Sequence, residues 1–252
     1  MTADPLLVYV VVLLLVGALV GVMSGLFGVG GGFLMVPVQF WALGLVGVDP
    51  ETALRTAFGT SLAVVIPTAA SGAWAHHCRK CVRWDVVRWM GISAAVASLA
   101  GSLLSTRAPG RPLELLLGLV LCAAAVQILT QRASAACDLG GEERELSRSG
   151  YLALGLPGGL LSGLLGIGGG IVLVPLLTLV LRYPVRTAVG TSTPVILCAA
   201  LGGVVGYALT APSALGARLA HACPPRLLRL ALAGVMVLVG ILMLDVPGLL
   251  GF

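Results

Sequence analysis

Charged residues are scarce in this chain, and their scarcity excludes most classes of soluble protein. Only 10% of the 252 residues are Asp, Glu, Lys or Arg, whereas a soluble domain carries roughly 25%. Hydrophobic residues make up 58% of the chain and the mean hydropathy is +1.07. Such a chain cannot cover a surface that faces water, so a soluble enzyme, a disordered protein and a nucleic-acid-binding protein are all excluded. The composition predicts an integral membrane protein.

Histidines and paired cysteines are also few. The six cysteines lack the spacing of a secreted disulfide scaffold. Each of the three histidines, His76, His77 and His221, lies outside the apolar runs, so no base is available inside a span for a serine nucleophile. The Ser-Gly pair at Ser162 is therefore interpreted as a packing element. We expect no enzymatic activity, no metal site and no cofactor.

Nine hydrophobic segments follow one another along the chain, and a membrane-spanning helix needs about 20 apolar residues. Two of them, Phe33–Val48 and Ile171–Leu181, are short for a full crossing. The segments are Leu6–Gly25, Phe33–Val48, Thr56–Ala75, Val86–Leu104, Leu113–Thr130, Tyr151–Leu164, Ile171–Leu181, Thr187–Leu209 and Leu227–Leu244. We predict an all-α, polytopic integral membrane helix bundle with eight or nine hydrophobic segments.

Two stretches of sequence occur twice and in the same order. Residues 24–37 align with residues 162–175 at nine of fourteen positions, and every Gly, Ser and Pro is kept. Residues 55–61 match residues 186–192 at six of seven positions. These matches predict two duplicated halves, an organisation that many secondary transporters share.

The two halves are joined by the one long hydrophilic stretch of the sequence. The predicted units are a first transmembrane repeat at 1–130, a connecting loop at 131–149 and a second repeat at 150–252. In the first repeat, Pro112 follows Gly59 by 53 positions. In the second repeat, Pro225 follows the equivalent Gly190 by only 35. We therefore expect the second repeat to lack one crossing.

Each half contains three consecutive glycines, Gly30–Gly32 and Gly168–Gly170. Such a run should break a membrane helix, because glycine loses the most backbone entropy and samples positive φ freely. The segment after each break, which we expect Pro37 or Pro175 to close, begins with unpaired N–H groups. These groups and the helix dipole favour an anion. The two breaks are expected to meet near the midplane, where transporters of this kind hold their substrate.

Glycines spaced four residues apart have a simpler explanation. Small residues allow the backbones of membrane helices to approach closely. We assign this packing role to Gly21, Gly25, Gly159 and Gly163.

The Gly-Thr-Ser motif of each half places two hydroxyls inside an otherwise apolar span. The hydroxyls either donate to the same anion or bond to a carbonyl one turn back in their own helix. They belong to Thr60, Ser61, Thr191 and Ser192. Gln39 is a weaker candidate, since the second half has Leu177 at the equivalent position.

The doubled pattern Ser-Gly-Leu-x-Gly-x-Gly-Gly-Gly-x4-Pro followed by Gly-Thr-Ser resembles the sulfite exporter TauE/SafE family. The resemblance covers almost the whole chain, and the shortened second half departs from it. It implies a multi-pass transporter of the bacterial or archaeal inner membrane that moves small, often sulfur-containing anions. The substrate-binding positions that it implies are Gly30, Gly31, Gly32, Thr60, Ser61, Gly168, Gly169, Gly170, Thr191 and Ser192.

We therefore predict a secondary transporter, a permease or exporter, for a small anion such as sulfite or an organosulfonate, working by alternating access. Its partners would be this anion and membrane lipid, with no nucleic acid, and the shortened half is compatible with a homo-oligomer. One alternative is a membrane thiol oxidoreductase that uses Cys78 and Cys81. The other is a membrane assembly subunit that does not transport.

Overall fold

The computed structural model describes residues 31–45, 47–134 and 145–210. Every regular element within these ranges is a helix, which confirms the predicted all-α class for this part of the chain. Three of the helices are long and apolar enough to cross a membrane. The chain therefore has the membrane-protein character that its composition predicts.

Seven helices occupy the described residues, and they coincide with seven of the predicted hydrophobic segments. They are α1 (Gly32–Leu45), α2 (Pro50–Cys78), α3 (Trp84–Ser105), α4 (Gly110–Ser134), α5 (Arg148–Leu165), α6 (Gly170–Leu179) and α7 (Val185–Thr210). The helices long enough to cross are α2, α3 and α7. The predicted segments Leu6–Gly25 and Leu227–Leu244, and the expected missing crossing, lie outside the described residues.

Helix α2 begins six residues before its apolar run because its start is capped by polar groups. Asp49 precedes the helix, and its carboxylate accepts a hydrogen bond from the N–H of Thr52 at 3.3 Å. Pro50 occupies the first helical position, where its missing N–H costs no intrahelical bond. Capping of this kind extends helices beyond the hydrophobic segment that a sequence pattern detects.

The expectation that Pro37 and Pro175 close the segments after the glycine breaks is wrong. Helix α1 continues through Pro37 to Leu45, and α6 continues through Pro175 to Leu179. Each proline is the sixth residue of its helix, so its missing N–H leaves one carbonyl in the first turns without its usual donor. Membrane helices tolerate this loss where neighbouring segments surround them.

Helices α3 and α5 pack closely and run parallel, and glycines of α5 form the contact. Carbon atoms placed as Cβ on Gly159 and Gly163 would collide with the backbone of Ala94 and Ser98, respectively. The later glycine of α5 meets the later residue of α3, so the two helices run in the same direction. The predicted packing role of Gly159 and Gly163 is confirmed, whereas Gly21 and Gly25 lie outside the described residues.

Helix α7 packs on another face of α3 in the same direction. Gly91 faces the side chain of Cys198, at 3.1 Å from its ideal Cβ position to Sγ, and Gly202 faces the backbone of Ala95. Helix α2 runs antiparallel to both. The core of the bundle lies among α2, α3, α5 and α7, and large apolar side chains such as Leu119 and Leu209 remain exposed on the outside.

One end of the bundle carries a group of basic residues, and we call it the basic end. The Arg83 guanidinium, just before α3, pairs with Glu145 at 3.3 Å and lies 5.5 Å from the ring centre of Tyr183. Arg148, at the start of α5, lies 5.3 Å from the ring centre of Trp89. The starts of α3 and α5 and the loop after α6 therefore lie together at this end.

The opposite end holds the start of α2 and the loop between α3 and α4. Glu51 accepts a hydrogen bond from the N–H of Gly110 at 3.2 Å, and the Arg55 guanidinium donates to the carbonyl of Ala108 at 3.4 Å. Helix α3 connects the two ends with its 22 residues, a length of about 33 Å.

Candidate functional site: two half-helices that meet inside the bundle

The chain turns sharply between α5 and α6 at the second glycine run. Gly166, Gly168 and Gly169 have φ values of +67°, +85° and +75°, a left-handed conformation that favours glycine. Gly166 ends α5 by donating its N–H to the carbonyl of Ser162 at 2.9 Å. Helix α5 starts at the basic end and α6 returns there, so the two helices form a hairpin. The predicted break in the second half is present.

The tip of this hairpin lies inside the bundle. The Ser61 hydroxyl donates to the carbonyl oxygen of Gly166 at 2.6 Å. A Cβ on Gly166 would lie only 2.6 Å from the Cα of Phe58. Ser61 is the twelfth residue of α2, about 16 Å along that helix from the opposite end. The hairpin tip is therefore an interior turn that stops short of the opposite end.

The first glycine run has the same local structure where it is described. Gly31 has a φ of +71°, close to the +75° of Gly169, its counterpart in the repeat. The N–H groups three and four residues later both bond to the Gly31 carbonyl at 3.3 Å, and the corresponding pair bonds to the Gly169 carbonyl at 3.1 and 3.0 Å. Gly30 lies outside the described residues.

The start of α1 touches the hairpin tip. A Cβ on Gly32 would lie 2.6 Å from the carbonyl oxygen of Ile167 and 2.8 Å from that of Gly166, so only a glycine permits this approach. The structure thus brings the two glycine runs together. Helix α1 leads from this contact to the opposite end, and α6 leads from it to the basic end.

Two helices, α1 and α6, therefore begin near the hairpin tip in the interior. The N-terminus of each carries a partial positive charge of about half an elementary charge. Among the described residues, no backbone carbonyl or side chain accepts a hydrogen bond from the N–H groups of residues 167–171. Residues 166–170 are all buried. Buried N–H groups are almost always paired, and an anion at this turn would pair them.

Ser162 adds a hydroxyl to these donors. It is fully buried, and its Oγ has no hydrogen-bond partner among the residues that the structure describes. Its Cβ lies 3.3 Å from the ideal Cβ position of Gly169, so the side chain stands against the residue that precedes α6. Interpreting Ser162 as a packing residue missed this candidate. Its position one turn before the glycine run was the only signal in the sequence.

The hydroxyls of the first Gly-Thr-Ser motif lie close to this region. Ser61 bonds to the Gly166 carbonyl and lies 2.9 Å from the Phe58 carbonyl of its own helix. Thr60 Oγ1 lies 2.6 Å from the Thr56 carbonyl oxygen and 2.5 Å from Gln39 Oε1. The predicted bond to a carbonyl one turn back is therefore present, together with a bond to a neighbouring helix.

The hydroxyls of the second motif have different partners. Thr191 Oγ1 accepts a hydrogen bond from the N–H of Arg83 at 3.2 Å, which places it against the loop between α2 and α3. Ser192 Oγ donates to the Val189 carbonyl in its own helix at 3.0 Å. The two motifs are nearly identical in sequence, but their hydroxyls contact different parts of the fold.

The Cys78-Arg-Lys-Cys81 segment lies in the same loop. Both cysteines are free thiols, and Cys81 Sγ lies 3.3 Å from the carbonyl oxygen of Arg79. The neighbouring His77 accepts a hydrogen bond from the Trp84 indole at 3.1 Å. In the part of the chain that the structure describes, no group of three or more His, Cys, Asp or Glu side chains is placed to hold a metal ion.

Comparison with known proteins decides the family. The family model described as Sulfite exporter TauE/SafE matches residues 13–243. The chain belongs to the sulfite exporter TauE/SafE family. The resemblance carried by the doubled glycine motif is thereby confirmed.

Curated relatives of this TauE/SafE protein are named as membrane transporters. A probable membrane transporter protein of Methanocaldococcus jannaschii is 33% identical over 77% of this chain and 71% of its own length. Similar proteins of Haemophilus influenzae and Bacillus subtilis are each 30% identical, covering 79% and 77% of this chain and 72% and 77% of their own. No solved structure matches the chain. The protein is a membrane transporter.

Proposed function

We propose that this TauE/SafE transporter carries a small oxyanion, sulfite or an organosulfonate, and binds it where the N-termini of α1 and α6 meet. The observation that carries the proposal is the contact of Gly32 with the carbonyl groups of Gly166 and Ile167. This contact places the start of α1 against the turn that leads into α6. The contacting carbonyl oxygens are acceptors, so the oxyanion would bind beside them, at the N–H groups of residues 167–171, where the dipole of α6 also favours it.

The donors around the turn suit an oxyanion in number and in strength. The N–H groups of residues 167–171 and the Ser162 hydroxyl can donate to several oxygen atoms of one ligand. All of them are neutral. A transported ion must be bound strongly enough to enter and weakly enough to leave, and neutral donors meet this condition better than a buried arginine would.

The directions of α1 and α6 support alternating access. Helix α1 leads from the proposed site to one end of the bundle, and α6 leads to the other. A small movement of either half-helix would open the site toward its own end, while the other half-helix keeps it closed. We further propose a multi-pass protein of a bacterial or archaeal inner membrane, with the basic end at the cytoplasmic side, because cytoplasmic loops are rich in Lys and Arg.

The test is flux of labelled sulfite and methanesulfonate into proteoliposomes, measured for the wild type, Gly32→Ala and Gly44→Ala. Gly32 and Gly44 lie on the same helix, but a Cβ on Gly44 meets no atom within 4 Å. We expect Gly32→Ala to reduce flux by roughly tenfold or more, because displacing a binding group by about 1 Å has effects of this size. Gly44→Ala should transport at the wild-type rate.

A second variant separates the transporter from its alternatives. Gly169→Val places a branched side chain at a φ of +75°, so it should abolish flux while the protein still inserts into the membrane. If the wild-type protein transports neither anion, the proposed substrate class is refuted. Full flux in both Gly32→Ala and Gly169→Val would refute the site, and a retained cellular role of the flux-deficient variant would favour an assembly subunit.

A further inference from the structure

Gln39 is the one strongly polar side chain of α1 within the described residues, and it is buried. Its sequence neighbours in the helix are apolar, and only 7% of the residue is exposed. The repeat counterpart on α6 is Leu177, which is fully buried. An amide is costly to bury unless its groups are hydrogen-bonded. The first half therefore buries an amide at a position where the second half buries hydrocarbon.

Among the described residues, one neighbour bonds to the Gln39 amide, and at least one N–H of the amide is left without a partner. Oε1 lies 2.5 Å from Thr60 Oγ1, and the Thr56 carbonyl oxygen lies 2.6 Å from the same Oγ1. The Thr60 hydroxyl has a single proton to donate. The amide nitrogen has two N–H groups. Whichever way round the amide is placed, Thr60 can engage only one of its ends, so at least one N–H has no partner among the described residues.

The position of Gln39 relates this donor to the proposed anion site. Gln39 is seven residues beyond Gly32, about 10 Å along α1 toward the opposite end. It therefore stands on the α1 side of the hairpin tip. On the α6 side, the equivalent position offers only the hydrocarbon of Leu177.

We propose that Gln39 is a second binding contact for the transported oxyanion, on the α1 side of the site, and that it donates from its amide nitrogen. Thr60 is a positioning residue that holds the amide. This inference rests on the proposed function. It makes the two sides of the site unequal: the oxyanion meets a polar contact between the glycine turn and the opposite end, and an apolar wall between the turn and the basic end.

The test measures methanesulfonate flux in proteoliposomes of Gln39→Glu and Gln39→Met, with KM and maximal rate determined separately. Methanesulfonate keeps a constant charge across the pH range, so its own titration does not enter the result. Gln39→Glu keeps the side-chain volume and an oxygen acceptor for Thr60, but replaces the N–H donors with an acidic group. Gln39→Met keeps the approximate volume without any donor.

We expect the KM of Gln39→Met to rise about tenfold, the size of one hydrogen bond to a charged group. Gln39→Glu should be impaired more strongly at neutral pH and should recover as the pH falls, because protonation removes the negative charge and restores a donor. Because a buried carboxylate also destabilises the fold, the neutral Gln39→Met variant separates the two roles: loss of a binding contact raises KM and leaves the maximal rate unchanged, whereas a structural defect lowers the maximal rate. If Gln39→Glu does not insert, the neutral Gln39→Met variant decides the question by itself.

Thr60→Val is the matched control for the positioning role. It removes the hydroxyl and leaves the amide, so we expect a smaller rise in KM than for Gln39→Met. A wild-type KM in both Gln39 variants would overturn the inference while leaving the anion site intact, provided that Gly32→Ala still reduces flux. Absence of wild-type flux for both anions would overturn the proposed function and this inference together.

Discussion

The hydroxyl of Ser61 lies 2.6 Å from the carbonyl oxygen of Gly166, across 105 residues of sequence. This hydrogen bond joins the Gly-Thr-Ser motif of the first half to the glycine turn of the second half. Both residues are buried. The two motifs that recur in the sequence are therefore parts of one structural unit, in which a serine of one half supports the turn of the other.

Replacing Ser61 with Ala should destabilise the protein by about 1–3 kcal/mol, because the buried Gly166 carbonyl loses its donor. The free energy of unfolding can be measured by SDS titration in mixed micelles. Thr68→Ala is the control, since within the described part of the chain the Thr68 hydroxyl bonds only to carbonyls of its own helix. An equal loss in the two variants would mean that the bond between Ser61 and Gly166 adds no stability beyond that of a hydroxyl bonded within its own helix.

Gly163→Ala should separate α5 from α3. A Cβ on Gly163 would collide with the backbone of Ser98, and no rotation of a side chain can relieve that contact. Overpacking of this kind costs about 1–3 kcal/mol. Gly118→Ala on α4 meets no atom within 4 Å and should be neutral, or stabilising by up to about 1 kcal/mol from helix propensity. The same titration measures both, and a neutral Gly163→Ala would contradict the observed packing.

Tyr207→Phe should weaken the contact among three helices. The Tyr207 ring on α7 is fully buried, and its hydroxyl lies 2.9 Å from Ser105 Oγ on α3 and 3.0 Å from the Gly163 carbonyl oxygen on α5. We expect a loss of about 1–3 kcal/mol in unfolding free energy. Tyr151→Phe is the control, because the one described partner of the Tyr151 hydroxyl is the nearby N–H of Leu146. The prediction fails if Tyr207→Phe costs no more than this control.

The double variant Cys78→Ser and Cys81→Ser should transport at the wild-type rate. The backbone of Cys81, and not its thiol, packs against Gly190, and the Arg83 N–H that bonds to Thr191 is also a backbone group. Neither contact depends on sulfur. Flux in proteoliposomes is the measurement, and complete loss of activity in a correctly inserted protein would instead support the thiol oxidoreductase alternative.

The helical segments of this chain were predictable because membrane insertion imposes a long apolar run on each one. The glycine break between α5 and α6 was predictable as well, since three consecutive glycines suit a membrane helix poorly. The continuation of α1 and α6 through Pro37 and Pro175 was not, because whether a proline ends a helix depends on the segments that surround it. The Ser162 hydroxyl, unpaired among the described residues, was missed for a related reason: a serine in an apolar helix usually bonds to its own backbone.

By itself, the sequence determined the membrane environment, the helical class and the position of the backbone break between α5 and α6, because composition and glycine content act locally along the chain. Only the tertiary structure decided that the two glycine runs meet, that α1 and α6 lead to different ends, and that Thr60 and Thr191 contact different groups. These features depend on which backbones approach closely. A contact such as that of Gly32 with Ile167 is formed by residues more than a hundred positions apart, and its geometry is set by the packing of the whole bundle.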